Sequence, residues 1–333
     1  MADAQEEEEE ASRTKGEQNW MDAYDRRSAE EYWYPHKTES DQEVADAGNY
    51  HAHRLWKTDE ITTTPPMCYT DNPGRFTHSR DTLQICCIKI ASIRRGLRWP
   101  LDVFGMVTAR DVLEIQRKHN IIFARARSNC QTIMEEHPYL DLTGPSRAVV
   151  TCFDPGNIEV VLKVRGASET EDRDLSFLVL ELKERRYCHY DPEYTSKCST
   201  LELTLCHVEK AVEATISVRL IGGSSWPDGF QGVLTASIAS INDAEVSLLA
   251  FGVDKMPLVT DDGMIKLSRR VVSVERLDGE LKVSIAARSE NDERGAKVDD
   301  VVFTPKDCGR SCGVLNFGAC KMQVTVAWSL FGF

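Results

Sequence analysis

The chain has 333 residues, 41% of them hydrophobic, and a formal net charge of −13 at pH 7. Most of this charge lies in residues 1–60, which hold 17 acidic and 7 basic side chains, so the rest of the chain is nearly neutral. A nearly neutral body argues against a nucleic-acid-binding domain, and the lack of an apolar run of 18 residues excludes a transmembrane helix.

Residues 1–82 are predicted to form an acidic, flexible extension. Five consecutive glutamates at positions 6–10 repel one another and stand where a secretory signal would need basic and then apolar residues, so we expect a cytoplasmic or nuclear protein without a signal peptide. Aromatic residues between Trp20 and Trp56 suit either a short helix that docks on the body or on a partner, or a loosely attached tail. Residues 62–66 are interpreted as a linker.

The body contains an internal match. Residues 96–109 recur as residues 223–236, with six of the fourteen positions identical and no gap, and two of the identities are a Trp-Pro pair. Self-similarity at a fixed offset indicates duplicated architecture. Further matches follow in the same order: 146–150 with 268–272, 158–164 with 281–287, and 201–205 with 324–328. The sequence therefore predicts two β units in tandem, at 84–208 and 209–333.

Each unit is a series of short apolar or alternating runs separated by Gly, Asp and Pro turns, which predicts a mainly β fold of antiparallel sandwich or barrel-like type. Residues 110–120 fit either a short helix or a long connection. The predicted strands are 85–93, 101–109, 121–126, 148–153, 158–164, 175–182 and 201–208 in the first unit, and 212–220, 232–241, 246–251, 271–274, 281–286, 301–304 and 323–330 in the second.

The Trp-Pro pairs are interpreted as structural. Proline cannot donate a ladder hydrogen bond, so it belongs at the first residue of a strand or at an edge. Trp99 and Trp226 are then expected to cap the cores, because large buried aromatic side chains dominate core packing.

No catalytic or cofactor-binding motif is present, and we assign no catalytic residue and no cofactor. The metal candidates are Cys188, His189 and Cys198, which lie within a short cysteine-rich segment. Their spacing departs from the paired ligands of zinc loops, so a zinc site, a conditional disulfide and purely structural thiols all remain open. Basic groups such as Arg94, Arg95 and Arg98 are interpreted as solvated strand edges.

The duplication also ranks candidates for function, because features found in one unit and missing from the other are where function could have been added. Those features are Arg110-Asp111, Asn129-Cys130-Gln131, Pro138-Tyr139 and Cys188-His189.

Several runs together resemble a grass and cereal family of uncharacterised plant domains, known only as a domain of unknown function. The resemblance spans roughly residues 84–332 and implies a plant β-rich module without an established activity. The runs include Arg95-Gly96-Leu97-Arg98-Trp99-Pro100-Leu101, Pro138-Tyr139-Leu140, Leu142-Thr143-Gly144-Pro145, Arg147-Ala148-Val149-Val150, Asp174-Leu175-Ser176, Val212-Glu213-Ala214-Thr215-Ile216, Trp226-Pro227-Asp228-Gly229-Phe230 and Leu267-Ser268-Arg269-Arg270-Val271-Val272.

Some members of that family resemble fusions to ribosome-inactivating toxins, whose catalytic helix carries Glu-Ala-x-Arg. The nearest string here, Glu213-Ala214-Thr215-Ile216, lacks the arginine and lies in a predicted strand. The resemblance therefore does not carry the toxin chemistry to this chain.

We expect a binding or interaction module without catalytic activity that recognises a protein partner and does not bind membranes or nucleic acid. The alternative is an enzyme or accessory subunit connected to ribosome inactivation, which rests on the toxin fusions alone. The identity of a small-molecule ligand is unknown.

Overall fold

The computed structural model describes residues 60–114, 117–151, 156–182, 189–190, 192–222, 230–238, 245–252, 256–289, 297–317 and 320–332. The glutamates at 6–10, the aromatic segment between Trp20 and Trp56, and the second Trp-Pro pair at Trp226 and Pro227 lie outside these residues. The described chain is mostly β, with two single-turn 3-10 helices among the described residues.

The prediction of a mainly β, antiparallel fold is confirmed. The strands are β1 Arg80–Ile93, β2 Leu101–Arg110, β3 Asn120–Arg125, β4 Gln131–Ile133, β5 Val149–Val150, β6 Gly156–Val164, β7 Arg173–Leu182, β8 His189–Tyr190, β9 Glu193–Ser196, β10 Ser199–Gly222, β11 Phe230–Ile238, β12 Glu245–Phe251, β13 Met264–Ile265, β14 Val271–Glu275, β15 Leu281–Ser289, β16 Lys297–Phe303, β17 Cys308–Phe317 and β18 Cys320–Ser329.

Three sheets contain these strands. A long central sheet has the order β17-β18-β10-β1-β5, with short strands β8, β9, β13 and β14 also pairing with β10. The two smaller sheets have the orders β3-β2-β6-β7 and β12-β11-β15-β16. All pairings between named strands are antiparallel, and the sheets form layers without closing into a barrel.

Strand β10 runs through both halves of the body. Its first part pairs with β1, from Ser199 opposite Ile93, and its second part pairs with β18, from Glu213 opposite Ser329. The two predicted strands at 201–208 and 212–220 are thus one strand of 24 residues. Lys210, at the point where the pairing partner changes, has a φ of 45°.

Two hydrophobic cores lie on the central sheet. The first packs β1 and the first part of β10 against β2, β3, β6 and β7, and includes Ile85, Val107 and Leu203. The second packs the rest of β10, β14 and β18 against β11, β12 and β15, and includes the fully buried Trp328. We call these layered halves the first and second sandwiches.

The matching strand orders relate the two sandwiches. Strand β2 lies between β3 and β6 as β11 lies between β12 and β15, and β7 and β16 are the outer strands. The ladders place Ile158 opposite Ala109 and Val283 opposite Ala236. Ile158 therefore corresponds to Val283 and not to Leu281, as the sequence match at 281–287 suggested. The shift of two residues leaves the inward and outward faces unchanged.

The recurring glycines have a common physical reason. A Cβ at Gly105 would overlap the carbonyl oxygen of Val161, and a Cβ at Gly232 would overlap that of Ala286. In both sheets the neighbouring strand approaches at the same ladder position, so a side chain cannot be accommodated there.

One long strand was missing from the sequence prediction, and of the two alternatives for residues 110–120 the long connection agrees with the structure. Strand β17 was not predicted, because its glycines and polar residues interrupt the alternation of apolar and polar side chains that marks a strand in a sequence. It is a strand because it pairs with β18. Residues 110–120 contain no α-helix where the structure describes them. The chain turns at Asp111, whose Oδ1 accepts a hydrogen bond from the backbone N–H of Leu113 at 3.3 Å.

Residues 60–79, which we call the strap, lie across both sandwiches. Thr62 donates its backbone N–H to the carbonyl of His119 on the first, and Tyr69 donates its own to Ser329 Oγ on the second. Residues 62–66 are therefore a packed segment, in contrast to the linker interpretation. No helix in the described part of the chain has the length and apolar character needed to cross a membrane.

Candidate functional site

The three metal candidates fall at separate places. Cys188 lies outside the described residues, and His189 lies in β8 opposite Cys206 of β10. Cys198 directly precedes Ser199, the first residue of β10. Ser199 and Cys206 are seven positions apart on that strand, which at strand spacing corresponds to about 23 Å. The structure therefore does not bring His189 and Cys198 together.

Cys198 itself has structural contacts. Its backbone N–H donates to the carbonyl of Leu175 at 3.0 Å, and its buried Sγ lies 3.8 Å from Nη2 of Arg173. Within the described ranges, no group of three or more His, Cys, Asp or Glu side chains is placed to hold a metal ion.

A set of mostly buried ionisable groups lies at the boundary between the two sandwiches. We call it the junction, and its members are Asp111, Glu114, Arg147, Glu213 and Arg269. Four of the five are almost fully buried, with exposed fractions of 1% for Asp111 and Arg147, 3% for Arg269 and 5% for Glu213.

Arg147 and Asp111 form a bidentate ion pair. Nη1 of Arg147 donates to Oδ2 of Asp111 at 2.6 Å, and Nη2 donates to Oδ1 at 2.9 Å. Burial alone would lower the pKa of Arg147, but the Asp111 carboxylate raises it. Asp111 also accepts the backbone N–H of Val150 at 2.8 Å, which satisfies the carboxylate further.

Glu114 attaches the strap to the junction. Its Oε1 accepts hydrogen bonds from the hydroxyls of Thr62, at 2.8 Å, and Thr64, at 2.6 Å. Burial opposes ionisation of Glu114, but these two hydroxyls and the nearby Arg147 outweigh it and lower its pKa. Glu114 is thus held as a carboxylate by the strap.

Glu213 joins three parts of the chain. It lies on the second part of β10 and accepts the backbone N–H of Met67 in the strap and of Ala148 in the first sandwich, both at 2.8 Å. Burial raises the pKa of the Glu213 carboxyl in spite of these bonds. The residue that the toxin resemblance singled out is therefore an internal acceptor, turned away from solvent.

Arg269 makes the reciprocal contact from the second sandwich. Its guanidinium donates to the backbone carbonyls of Gly144, Cys86 and Ile85 at 2.8, 2.8 and 2.5 Å, all within the first sandwich. Burial lowers its pKa to about 10. A guanidinium is well suited to this role, because it has five donors in a fixed plane.

A second buried group lies on β2 and β6. Arg110 Nε donates to Glu159 Oε1 at 2.8 Å, and Nη1 donates to the carbonyl of Arg117 at 3.0 Å. Thr108 Oγ1 lies 2.9 Å from Nδ1 of His119. Both acidic and basic members are bonded to one another inside the protein, so this group also fixes local structure.

The junction side chains position the two sandwiches and the strap relative to one another. Each of its carboxylates accepts at least two hydrogen bonds, and each guanidinium donates at least three to protein acceptors. Groups arranged in this way stabilise one relative placement of the two sandwiches and the strap.

The sequence found part of the junction. Asp111 was ranked among the features present in one unit alone, and Arg147 and Arg269 occupied matching positions in the repeated runs. What the repeat did not reveal is that the matched arginines have different acceptors, a carboxylate for Arg147 and carbonyls for Arg269. The unmatched Gln131 and Tyr139 lie together on the surface, where Gln131 Nε2 donates to the Tyr139 carbonyl at 2.9 Å.

Comparison with known proteins gives a family and no activity. No curated protein sequence matches the chain. Solved structures of human GIVD cytosolic phospholipase A2 align over 76% of this chain and 33% of theirs, at 9% identity and a TM-score of 0.24. The complex of that enzyme with methyl gamma-linolenyl fluorophosphonate aligns over 74% and 32%, with a TM-score of 0.22. The chain thus spans about a third of the length of those structures, and a likeness this weak supports no inference.

One family profile covers most of the body. It matches residues 82–326, from the beginning of β1 to the middle of β18, and so includes both sandwiches and the junction. The chain therefore belongs to the family described as Domain of unknown function (DUF6598).

Proposed function

We propose that this protein is a non-catalytic binding module whose two sandwiches form one rigid scaffold for a protein partner. The observation that carries this proposal is the use of the buried ionisable groups, since Glu213 and Arg269 each bond across the boundary between the sandwiches. These acidic and basic side chains, of types that act in catalysis in enzymes, here hold the two sandwiches together. Function then falls to the surface loops that this scaffold presents.

The proposal includes two duplicated units, 84–208 and 209–333, that share β10. The matching sheet orders and the equivalent close approaches at Gly105 and Gly232 support it. It also includes a plant, specifically grass, origin and a cytoplasmic or nuclear location, which rest on the sequence resemblance and on the acidic character of the first 60 residues.

Affinity capture tests the binding function. The tagged full chain is incubated with an extract of grass tissue, and a chain carrying surface substitutions at unrelated positions is the control bait. We expect a stoichiometric protein that is retained by the wild type and then rebinds after separate purification. A purified chain that turns over a substrate, together with no reproducible partner, would contradict the proposal.

The rival reading connects the chain with ribosome inactivation, and it is tested separately. Intact ribosomes are incubated with the full chain and assayed for release of adenine from ribosomal RNA. Because Glu213 is buried and already accepts two backbone hydrogen bonds, we expect no release. Release above that of a buffer control would overturn the non-catalytic assignment.

A further inference from the structure

Five basic residues lie on three segments that hydrogen bonds join at one end of the first sandwich. Three segments contribute them: the loop between β1 and β2, the start of β7, and the turn between β9 and β10. We call this surface the basic tip, and its members are Arg94, Arg95, Arg98, Arg173 and Lys197.

Hydrogen bonds hold the three segments together. The backbone N–H of Arg94 donates to the carbonyl of Cys198 at 2.9 Å, and Nη2 of Arg173 donates to the carbonyl of Arg95 at 2.6 Å. Arg94, Arg95, Arg98 and Arg173 are exposed, and Lys197 is half-buried. The tip is thus a fixed arrangement of charges at the surface.

Two of the basic residues occupy backbone positions that favour glycine. Arg95 has a φ of 54° and Lys197 a φ of 49°. In the first turn, the Leu97 N–H bonds back to the carbonyl of Arg94 at 3.3 Å, and the next residue, Gly96, also has positive φ. A side chain at such a position costs free energy, and residues of this kind concentrate at functional sites.

The second unit lacks four of these five charges at the aligned positions of its sequence. The match of Gly96 with Gly223 aligns Arg94, Arg95 and Arg98 with Ile221, Gly222 and Ser225. In the hairpins, Ser196 pairs with Ser199 and Phe317 pairs with Cys320, which aligns Lys197 with Gly318. Four of the five tip residues are therefore found in the first unit alone, at positions where the second unit carries neutral or glycine residues.

The tip also differs from other arginines on the surface. Arg127, Arg165, Arg219, Arg276 and Arg310 each donate to an aspartate. Within the residues that the structure describes, none of the five tip side chains has a carboxylate partner. Lys197 instead lies over the ring of Phe177, with its Nζ 5.9 Å from the ring centre.

We propose that the basic tip binds an acidic protein segment, a run of consecutive Glu or Asp side chains. Arginine forks match carboxylates in a bidentate manner, as Arg127 and Arg276 do with Asp172 and Asp307 in this protein. Five charges at loop ends on a nearly neutral body are too few and too local for the phosphate track of a nucleic acid. The chain itself contains an acidic segment of this kind, the run of five glutamates at positions 6–10. This inference deepens the proposed binding function and rests on it.

A peptide titration tests the proposal. The probe is a labelled synthetic peptide with five consecutive glutamates, and the matched probe carries five glutamines. The protein is the full chain with its own glutamates at 6–10 changed to glutamine, so that they do not compete. We expect fluorescence anisotropy to show binding of the glutamate peptide alone, and binding should weaken as salt is raised because the contacts are charged and exposed.

The test variant carries the residues of the second unit, as Arg95→Gly, Arg98→Ser and Lys197→Gly. Glycine suits the positive φ of positions 95 and 197, so the fold should be retained, and we expect affinity to fall roughly tenfold or more. The matched control removes three exposed charges elsewhere, as Arg75→Ser, Lys282→Ser and Lys306→Ser, and should remain within about twofold of the parent.

Three results would overturn the inference: equal losses in the test and control variants, equal binding of both peptides, or tighter tip-dependent binding of an RNA oligonucleotide or an anionic lipid vesicle than of the glutamate peptide. The proposed function fails separately. If the test variant captures the same partner as the wild type, the tip assignment is wrong and the binding module stands.

Discussion

At the scale of single residues, two arginines at matching positions of the sequence bind different kinds of acceptor. Arg147 and Arg269 follow matching serines in the sequence and are both almost fully buried. Arg147 meets the carboxylate of Asp111, whereas Arg269 meets carbonyls of the other sandwich. The difference matters for substitution, because removal of Arg147 leaves a buried charge behind and removal of Arg269 leaves neutral acceptors.

The Arg147→Met substitution tests this difference. We expect it to lower the free energy of unfolding by about 3–5 kcal/mol, because the Asp111 carboxylate would stay buried without its partner. Adding Asp111→Asn should recover part of the loss, since the orphaned charge is removed. Urea unfolding of the two single variants and the double variant measures the coupling. A loss below about 1 kcal/mol in Arg147→Met would show that the pair contributes little.

Glu213 predicts a pH dependence. Burial raises the pKa of its carboxyl above the usual value of 4.5. Because the folded-state pKa exceeds the unfolded-state pKa, its stabilising contribution is complete below about pH 4.5 and is lost as the pH rises through the folded-state pKa. The free energy of unfolding of the wild type, minus that of Glu213→Gln, should therefore decrease as the pH rises from 4.5.

Urea unfolding at a series of pH values measures that difference. The control is Glu209→Gln, an exposed glutamate on the same strand, which removes one charge without a buried partner. If the difference between the wild type and Glu213→Gln is constant over this range, the carboxyl is not shifted upward.

At the scale of elements, β2 and β11 each carry one glycine where the adjacent strand comes closest. We expect Gly105→Ala and Gly232→Ala each to destabilise the fold by about 3 kcal/mol, because the new Cβ would overlap a carbonyl oxygen of the neighbouring strand. Gly309→Ala is the control. Its φ of 84° brings backbone strain alone, since nothing lies within 4 Å of the added atom, and about 1 kcal/mol is expected. Thermal unfolding distinguishes the cases, and equal losses at all three positions would contradict the close approach.

Strand β10 changes its partners at Lys210. A lysine with a φ of 45° is strained, and glycine adopts this conformation without a steric cost. We expect Lys210→Gly to leave stability unchanged or raise it by about 0.5–1 kcal/mol, as seen by the urea midpoint. A clear loss of stability would instead show that the Lys210 side chain makes a stabilising contact.

At the scale of the whole molecule, the two sandwiches should unfold together. They share β10, and the strap, Glu213 and Arg269 bond across their boundary. We expect tryptophan fluorescence and far-UV circular dichroism to give coincident urea transitions, because loss of one sandwich removes the buried partners of the other. Two separated transitions would show that the sandwiches are independent domains.

The sequence by itself determined the mainly β architecture and most of the strands, because period-2 alternation and turn residues are local signals. It also marked Arg147, Arg269 and the paired glycines through the repeated runs. It did not show that β10 is continuous, that β17 is a strand, or that residues 62–66 are packed, since each depends on partners distant in sequence. The tertiary structure alone decided that Asp111, Arg147 and Glu213 meet, that His189 and Cys198 do not, and that five basic residues from three segments form one surface. Such groupings follow from strand pairing and register, which no single segment encodes.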